Sequence, residues 1–216
     1  MAQLVGPSFG PAAGGPPRQL VVLLHGVGAD GQDLIGLAPM LAELLPHARL
    51  VAPDGPEPCD LAPYGRQWFS LQDRRPAAML AGAERTAPAL DAWLDGELAR
   101  HGLDDTGLAL VGFSQGTMMS LLVGPRRPRP MAAIVGFSGA LLGSGQLAAD
   151  ARSRPPVLLI HGDVDDVVPV DAMFAAFGAL AAAEFSVQWI LRPGLPHSID
   201  PYGASAAGRF LRDMLA

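Results

Sequence analysis

A serine, a group of aspartates and a histidine each follow an apolar segment of this sequence, and together they could carry out nucleophilic catalysis. Ser114 is the central residue of the motif GFSQG (112–116), which comes directly after the apolar run GLALVGF (107–113). A G-x-S-x-G motif between a strand and a helix is typical of a nucleophile exposed on a sharp turn, where the flanking glycines avoid side-chain clashes. The dipole of the following helix would also favour the serine oxyanion.

The segment after the apolar run PVLLI offers three carboxylates, Asp163, Asp165 and Asp166. His197 follows the last apolar run, FSVQWIL, and therefore comes after both the serine and the acid. The chain order serine, aspartate, histidine is typical of α/β-hydrolases and differs from that of chymotrypsin and subtilisin. Together with His161 the aspartates could instead bind a metal, but their spacing fits no calcium loop. We interpret His161 as a structural residue that fixes the turn.

Two other segments resemble functional motifs less closely. Ser138 lies in GFSGA (136–140), where alanine replaces the second glycine and no helical pattern follows, so we interpret this serine as structural. The glycine-rich turn GVGADG (26–31) lacks the full G-x-G-x-x-G pattern of a dinucleotide-binding loop. We expect it to be an oxyanion loop, whose backbone N–H groups point towards the serine.

Short apolar runs alternate with stretches of helical spacing from Arg18 onward. Near-continuous apolarity in the runs predicts strands that are buried on both faces, as in a parallel sheet. The predicted strands are residues 19–25, 48–54, 107–113, 131–137, 156–162 and 185–191. The predicted helices are residues 33–46, with a possible kink at Pro39, and 83–101, 115–123, 170–183 and 203–215. This alternation predicts an α/β fold, a mostly parallel central sheet with helices on both faces.

Right-handed crossovers bring the carboxyl ends of parallel strands to one edge of the sheet, where ligands of open α/β sheets bind. The serine, the acidic segment and the histidine all follow predicted strands, so we expect them to meet at this edge. The long segment 53–82 is rich in turn residues and has no obvious secondary structure. Loops of this length often cover a functional site.

Composition limits the choice of fold and partner. The 216 residues fit a single domain, residues 18–216, preceded by a flexible arm rich in Gly, Pro and Ala, residues 1–17. The net charge of −6 is spread along the chain, which argues against nucleic acid as a partner. All fifteen basic residues are arginine, which excludes a Schiff-base lysine, a phosphate-loop lysine and a Ser–Lys dyad. We interpret the most basic stretch, PRRPRP (125–130), as a solvated surface loop.

No apolar run reaches the roughly 18 residues of a membrane-spanning helix, so we expect no stable membrane insertion. The first twenty residues lack the basic and apolar regions of a signal peptide. The single cysteine, Cys59, cannot form an internal disulfide, which suits a reducing compartment. We therefore expect a cytoplasmic protein.

Six motifs of this sequence resemble those of the phospholipase/carboxylesterase family, which includes acyl-protein thioesterases and small bacterial carboxylesterases. Together they span roughly residues 19–214. They are LHGVG (24–28), GRQWFS (65–70), GFSQG (112–116), FSG (137–139), HGDVDDVVP (161–169) and GLPH (194–197). The resemblance implies an α/β-hydrolase fold in which Ser114 is the nucleophile and His197 the general base. It implies Asp165 as the acid of the triad, with Asp166 as its competitor.

The resemblance also implies roles around the triad. The backbone N–H groups of Val27 and Gln115 would form the oxyanion hole; family members commonly have leucine where Val27 stands, but the backbone group acts in either case. Trp68 and Phe69 would form part of the acyl-binding wall, and packing in the core is the alternative for both.

The implied reaction is a two-step acyl transfer that needs neither a metal nor an organic cofactor. The preferred substrate is a small-molecule ester of a short-chain carboxylic acid, hydrolysed by a monomer or homodimer. An acyl-protein thioesterase and a lysophospholipase would use the same triad. A peptidase and a non-catalytic binding protein with the same fold remain further alternatives.

Overall fold

The computed structural model describes residues 4–216, and a seven-stranded sheet forms its centre. The strands are β1 (Ser8–Phe9), β2 (Gln19–Leu24), β3 (Ala48–Val51), β4 (Glu57–Pro58), β5 (Arg66–Gln67), β6 (Leu108–Phe113), β7 (Ala133–Phe137), β8 (Val157–Gly162) and β9 (Val187–Arg192). The sheet has the order β1-β3-β2-β6-β7-β8-β9, and only the β1–β3 pair is antiparallel. Strands β4 and β5 form a separate antiparallel hairpin.

Helices cover both faces of the sheet. They are α1 (Gly31–Leu34), α2 (Ala38–Leu44), α3 (Pro76–His101), α4 (Gln115–Val123), α5 (Leu147–Asp150), α6 (Asp171–Ala182) and α7 (Pro201–Met214). One apolar cluster joins α3, α4 and α6 to the sheet, and a second joins α2 and α7 to its opposite face. The predicted α/β architecture is therefore confirmed. None of the helices within residues 4–216 is both long and apolar enough to cross a membrane.

The strands are apolar on both sides because both faces of the sheet are covered. In β2, Leu20 and Val22 belong to the cluster beneath α3 and α4, whereas Val21 and Leu23 belong to the cluster beneath α2 and α7. All four side chains are fully buried. Alternate residues of one strand thus fill two different cores, which explains the near-continuous apolarity of the predicted strands.

The first predicted helix, residues 33–46, is interrupted. Helix α1 ends at Leu34, a 3₁₀ turn follows over Ile35–Leu37, and α2 begins at Ala38. The cause is Pro39, which has no N–H to donate to the preceding turn and fits only in the first turn of a helix.

The segment 53–82 is more structured than its composition predicted. It contains the β4–β5 hairpin, and α3 begins at Pro76 rather than at residue 83. Pro76 lies in the first turn of this helix, where proline is well tolerated because its missing N–H would have no intrahelical partner there. Similarly, LLGSGQLAAD (141–150), which was predicted to be a loop, ends in the short helix α5.

The described part of the predicted flexible arm, residues 4–17, is attached to the sheet, whereas residues 1–3 lie outside the described residues. Strand β1 pairs with β3, and the Leu4 side chain is buried in the core. The guanidinium of Arg49, on β3, donates to the Gly10 carbonyl oxygen and to Ser8 Oγ. The composition of the arm indicated flexibility, but an open sheet edge and an apolar residue near the chain start hold it in position.

Arg127 corrects the interpretation of PRRPRP as a solvated loop. Its guanidinium is buried and donates to Asp105 Oδ1 at 2.6 Å, to Asp95 Oδ1 at 2.7 Å and to the Asp91 carboxylate. Burial alone would lower the pKa of Arg127, but the three carboxylates outweigh it and raise the pKa. This arginine therefore connects α3 to the segment before β6.

Replacing Arg127 by leucine is expected to lower the free energy of unfolding by about 3 kcal/mol, because the buried Asp105 carboxylate loses its partner. Asp91 and Asp95 are largely exposed and contribute less. Urea unfolding of the variant beside R129L, which removes an exposed arginine of the same stretch, measures the difference. Equal stability of the two variants would contradict a structural role for Arg127.

Candidate active site

The three residues of the predicted triad follow strands that end at the same edge of the sheet. Ser114 comes directly after β6, Asp165 three residues after β8 and His197 five residues after β9. Strands β8 and β9 are neighbours, and only β7 separates β8 from β6. The parallel arrangement of all four strands thus brings distant parts of the chain to one site.

Ser114 has a left-handed backbone conformation, with φ 53° and ψ −113°. Its N–H donates to the Phe137 carbonyl oxygen at 2.9 Å, which ties the turn to the end of β7. The flanking glycines are required by space: a Cβ on Gly116 would lie 1.8 Å from the Leu24 oxygen, and one on Gly112 would lie 2.4 Å from the Gly116 carbonyl carbon. The chain therefore turns sharply from β6 into α4 with Ser114 at the apex.

Asp165 and His197 form a hydrogen-bonded pair. His197 Nδ1 lies 2.8 Å from Asp165 Oδ2, and the Asp165 side chain is fully buried. Asp165 Oδ1 accepts the N–H groups of Val167 and Val168 at 3.0 and 2.9 Å. Burial opposes ionisation of this carboxyl, but the bonds from His197 and the two N–H groups outweigh burial and lower its pKa. An ionised Asp165 fixes the imidazole with its proton on Nδ1 and leaves Nε2 for chemistry.

The other polar residues of the acidic segment have different positions. Asp166 is exposed, whereas Asp163 Oδ1 accepts the Gly194 N–H at 2.6 Å and so ties the histidine loop to the acidic segment. His161 is buried, and its Nε2 lies 2.8 Å from the Val168 oxygen and 3.2 Å from Asp165 Oδ2. It spans the turn that holds the carboxylate, which agrees with its interpretation as a structural residue. Among residues 4–216, no three His, Cys, Asp or Glu side chains are grouped so as to hold a metal ion.

The turn after β2 approaches Ser114 closely. A Cβ on Gly26 would lie 3.2 Å from Ser114 Cβ, a tight contact that a side chain here could make only if Ser114 or Phe113 shifted by a few tenths of an ångström. Within residues 4–216, the N–H groups of Val27 and Gln115 donate to no protein acceptor. Both N–H groups adjoin this contact in the chain, since Val27 follows Gly26 and Gln115 follows Ser114.

The Gln115 side chain connects the serine turn to the segment Trp68–Phe69. Its Oε1 accepts the Trp68 N–H at 2.8 Å, and its Nε2 donates to the Phe69 oxygen at 2.7 Å. Thr86 Oγ1, on α3, donates to the Trp68 oxygen at 2.7 Å. Trp68 and Phe69 themselves are buried in the core, at 0% and 2% exposure. This position favours core packing, the alternative that the sequence left open, over direct contact with an acyl chain.

His25 is part of this support and did not stand out in the sequence. It is fully buried, its Nε2 accepts the Gly55 N–H at 2.8 Å, and its Nδ1 lies 2.7 Å from the Gly26 oxygen. Its own carbonyl oxygen accepts from Trp68 Nε1 at 3.0 Å. Burial lowers the pKa of His25, so the ring is neutral and holds the Gly26 turn. The available signal was its position directly after a buried strand.

Ser138 repeats the turn of Ser114 and is even less exposed, at 1% against 5%. It also has a positive φ, 46°, and its N–H donates to the Ile160 oxygen as that of Ser114 does to the Phe137 oxygen. Its hydroxyl is buried and has no partner within residues 4–216. A hydroxyl enclosed in this way cannot reach a substrate, in agreement with its interpretation as structural.

The sequence profile of the phospholipase/carboxylesterase family matches residues 11–215. The chain belongs to this family. Esterase YpfH of Escherichia coli K12 is 32% identical to it over 189 residues, covering 86% of this chain and 78% of that one. Acyl-protein thioesterase 1 of Mycosarcoma maydis is 27% identical over 228 residues, covering 95% of each chain.

Solved structures agree with this family assignment. The crystal structure of esterase PE8 superposes with a TM-score of 0.94 at 44% sequence identity, covering 99% of this chain and all of that one. Maize acyl-protein thioesterase 2, at 24% identity and a TM-score of 0.73, shares the fold. This family member has the α/β-hydrolase fold and is a carboxylic ester hydrolase.

Replacing Asp165 by asparagine is expected to make folding less sensitive to acid. Because its pKa is lower in the folded protein than in the unfolded chain, ionised Asp165 stabilises the fold fully above its unfolded pKa of roughly 3.9. That stabilisation is lost as the pH falls through the lowered pKa of the folded state. Urea unfolding between pH 6 and 2.5 should show the wild type losing its advantage over D165N in acid. A constant difference would contradict the lowered pKa.

Proposed function

We propose that this hydrolase is a serine carboxylesterase that cleaves esters of short-chain carboxylic acids through Ser114, His197 and Asp165. The observation that carries the proposal is the 2.8 Å hydrogen bond between His197 Nδ1 and the buried Asp165, beside a serine on a sharp turn. This bond orients an imidazole at the sheet edge where Ser114 lies. Activity in named relatives, esterase YpfH and esterase PE8, supports ester hydrolysis.

In the first step, His197 Nε2 takes the proton of the Ser114 hydroxyl as the Ser114 oxygen attacks the ester carbonyl carbon. The tetrahedral intermediate collapses when the protonated His197 donates its proton to the alcohol oxygen, which leaves. Water then attacks the acyl-serine with His197 again as base, releasing the acid and restoring the serine. Asp165 stays ionised and stabilises the imidazolium in both steps.

The N–H groups of Val27 and Gln115 would stabilise the oxyanion of both intermediates. Their support comes from the close packing of Gly26 against Ser114, where an added Cβ would lie only 3.2 Å from Ser114 Cβ, and from the absence of a protein acceptor for the two N–H groups within residues 4–216. Loss of one such donor typically costs roughly 3 kcal/mol of transition-state stabilisation. Trp68 and Phe69 would act indirectly: their buried side chains fix the backbone to which the Gln115 side chain is hydrogen-bonded.

The preference for short acyl chains rests on the interior of the fold. Trp68 and Phe69, which were expected to form part of an acyl-binding wall, are buried and packed in the apolar core, so neither offers an open surface to a long acyl chain. A long acyl chain would therefore lie on the surface.

The domain 18–216 would act as a single unit, and a cytoplasmic location suits its one unpaired cysteine, Cys59.

Replacing Ser114 by alanine is expected to abolish hydrolysis of p-nitrophenyl esters, because the turn GFSQG carries no other nucleophilic side chain. The matched control is S138A, which changes the same residue type on a similar but buried turn and should retain full activity. Rates on acetate to palmitate esters also measure acyl-chain preference, with a maximum expected at short chains. Wild-type activity in S114A, or loss of activity in S138A alone, would contradict this assignment; a maximum at long chains would indicate a thioesterase or lysophospholipase.

Asparagine at position 165 is expected to lower kcat by about 10⁴-fold, since the amide no longer holds the tautomer of His197 or stabilises its charged form. D166N removes the neighbouring, exposed carboxylate and should change kcat little. Rates for both variants on one p-nitrophenyl ester distinguish the two acids. A greater loss in D166N would make Asp166 the acid of the triad.

A further inference from the structure

A pocket of about 290 Å³ opens beside His197, between the loop after β9 and the interrupted helix after β2. Its lining combines four apolar side chains, of Leu34, Leu37, Phe113 and Ile199, with the polar side chains of Asp33, His197 and Ser198. Gly36 completes the wall, and Asp33 and Ser198 lie at the rim. Other cavities of similar or larger volume in the described part of the chain lie away from His197: about 340 Å³ at the N-terminal segment, about 300 Å³ between α3 and the end of α4, and about 340 Å³ around Arg127.

The pocket is rigid on the side of the reacting groups. The Phe113 ring, next to Ser114 in the chain, lies 4.8 Å from the His197 ring between centroids. Leu34 is buried, and Leu37, Phe113 and Ile199 pack against the same apolar cluster. The Phe113 side chain therefore lines the pocket and also packs against the His197 ring.

The position of His197 determines which part of the ester, the alcohol or the acyl group, would lie in this pocket. His197 Nδ1 is bonded to Asp165, so Nε2 is the nitrogen that must pass the proton to the leaving alcohol oxygen. That oxygen must come within hydrogen-bond distance of Nε2, and the group it carries then extends along the histidine side of the site. A pocket with His197 in its wall lies where this group would extend, whereas the acyl group bonds to Ser114.

We propose, on the basis of the function proposed above, that this pocket binds the alcohol part of the ester and makes the enzyme selective for small apolar alcohols. Its volume is near the lower limit of ligand pockets, so it fits a branched, cyclic or short linear hydrocarbon group rather than a lipid chain. The Asp33 carboxylate at the rim disfavours an anionic alcohol group, such as a phosphate-bearing headgroup. Selectivity thus depends on residues 33–37, outside the triad.

Gly36 offers a direct test because it lines the pocket and has room for a side chain. A Cβ at this residue would meet no atom within 4 Å, and its φ is not in the left-handed region. Leucine at position 36 should therefore fit the backbone and occupy part of the cavity. Gly178, on α6, has equally open space and is remote from the site, so G178L is the matched control.

The experiment measures kcat/KM by acid release for two ester series, butyrates of methanol, butanol and benzyl alcohol, and methyl esters of acetate, butyrate and hexanoate. In wild type and G178L, kcat/KM should rise from methyl to benzyl butyrate. In G36L the ratio of kcat/KM for benzyl butyrate to kcat/KM for methyl butyrate should be about tenfold lower, because the added side chain takes up space for the alcohol group. The preference among the methyl esters should stay unchanged. L37A, which removes part of the wall, should also weaken the preference for benzyl butyrate.

Three outcomes would overturn the pocket assignment. They are a wild type indifferent to the alcohol, a G36L variant altered in acyl preference instead, and an equal change in G178L. Each of these outcomes requires that the wild type hydrolyses esters at a measurable rate, so the proposed esterase function would stand. A folded wild type without activity on any ester of either series would instead overturn that function, and the pocket assignment with it.

Discussion

Direct contact between backbone segments around Ser114 is the constraint on which the site depends. Helix α4 begins so close to β2 that the space for a Cβ at Gly116 is occupied by the Leu24 oxygen. This contact sets the distance between the serine turn and the turn after β2, which carries Gly26 and Val27. The left-handed backbone of Ser114 costs conformational energy, and the packing of α4 against β2 and β7 maintains it.

Buried polar groups extend this rigidity from the backbone to the surrounding loops. Gln115 holds the segment Trp68–Phe69 from one side, and the neutral His25 holds the Gly26 turn from the other. On the other side of the site, one oxygen of Asp165 accepts two backbone N–H groups, and the other lies near both His161 and His197. The Ser114 turn and the Asp165–His197 pair are therefore held by the fold itself, and preorganisation of this kind would be a main source of catalysis in the proposed acyl transfer.

The sequence predicted the strands, most helices and the meeting of the proposed triad residues at one edge of the sheet, because strand apolarity and the motifs at strand ends are local signals. Only the resemblance to the family favoured Asp165 over Asp166, because both follow β8 and residue order alone does not separate them; in the structure Asp165 is buried and Asp166 is exposed. The break in the first helix lies next to Pro39, where a kink was expected, whereas the start of α3 at Pro76 was missed. The roles of Arg127 and His25 also escaped prediction, because their partners lie far away in the sequence.

The interruption between α1 and α2 has a consequence for how relatives of this enzyme can diverge. Residues 35–37 form a single 3₁₀ turn between two short helices, so substitutions or insertions there need not disturb the hydrogen-bond ladder of a long helix. The Ser114 turn, in contrast, tolerates no added atom at Gly112 or Gly116. Evolution can therefore remodel one wall of the site freely while the reaction chemistry is inherited unchanged.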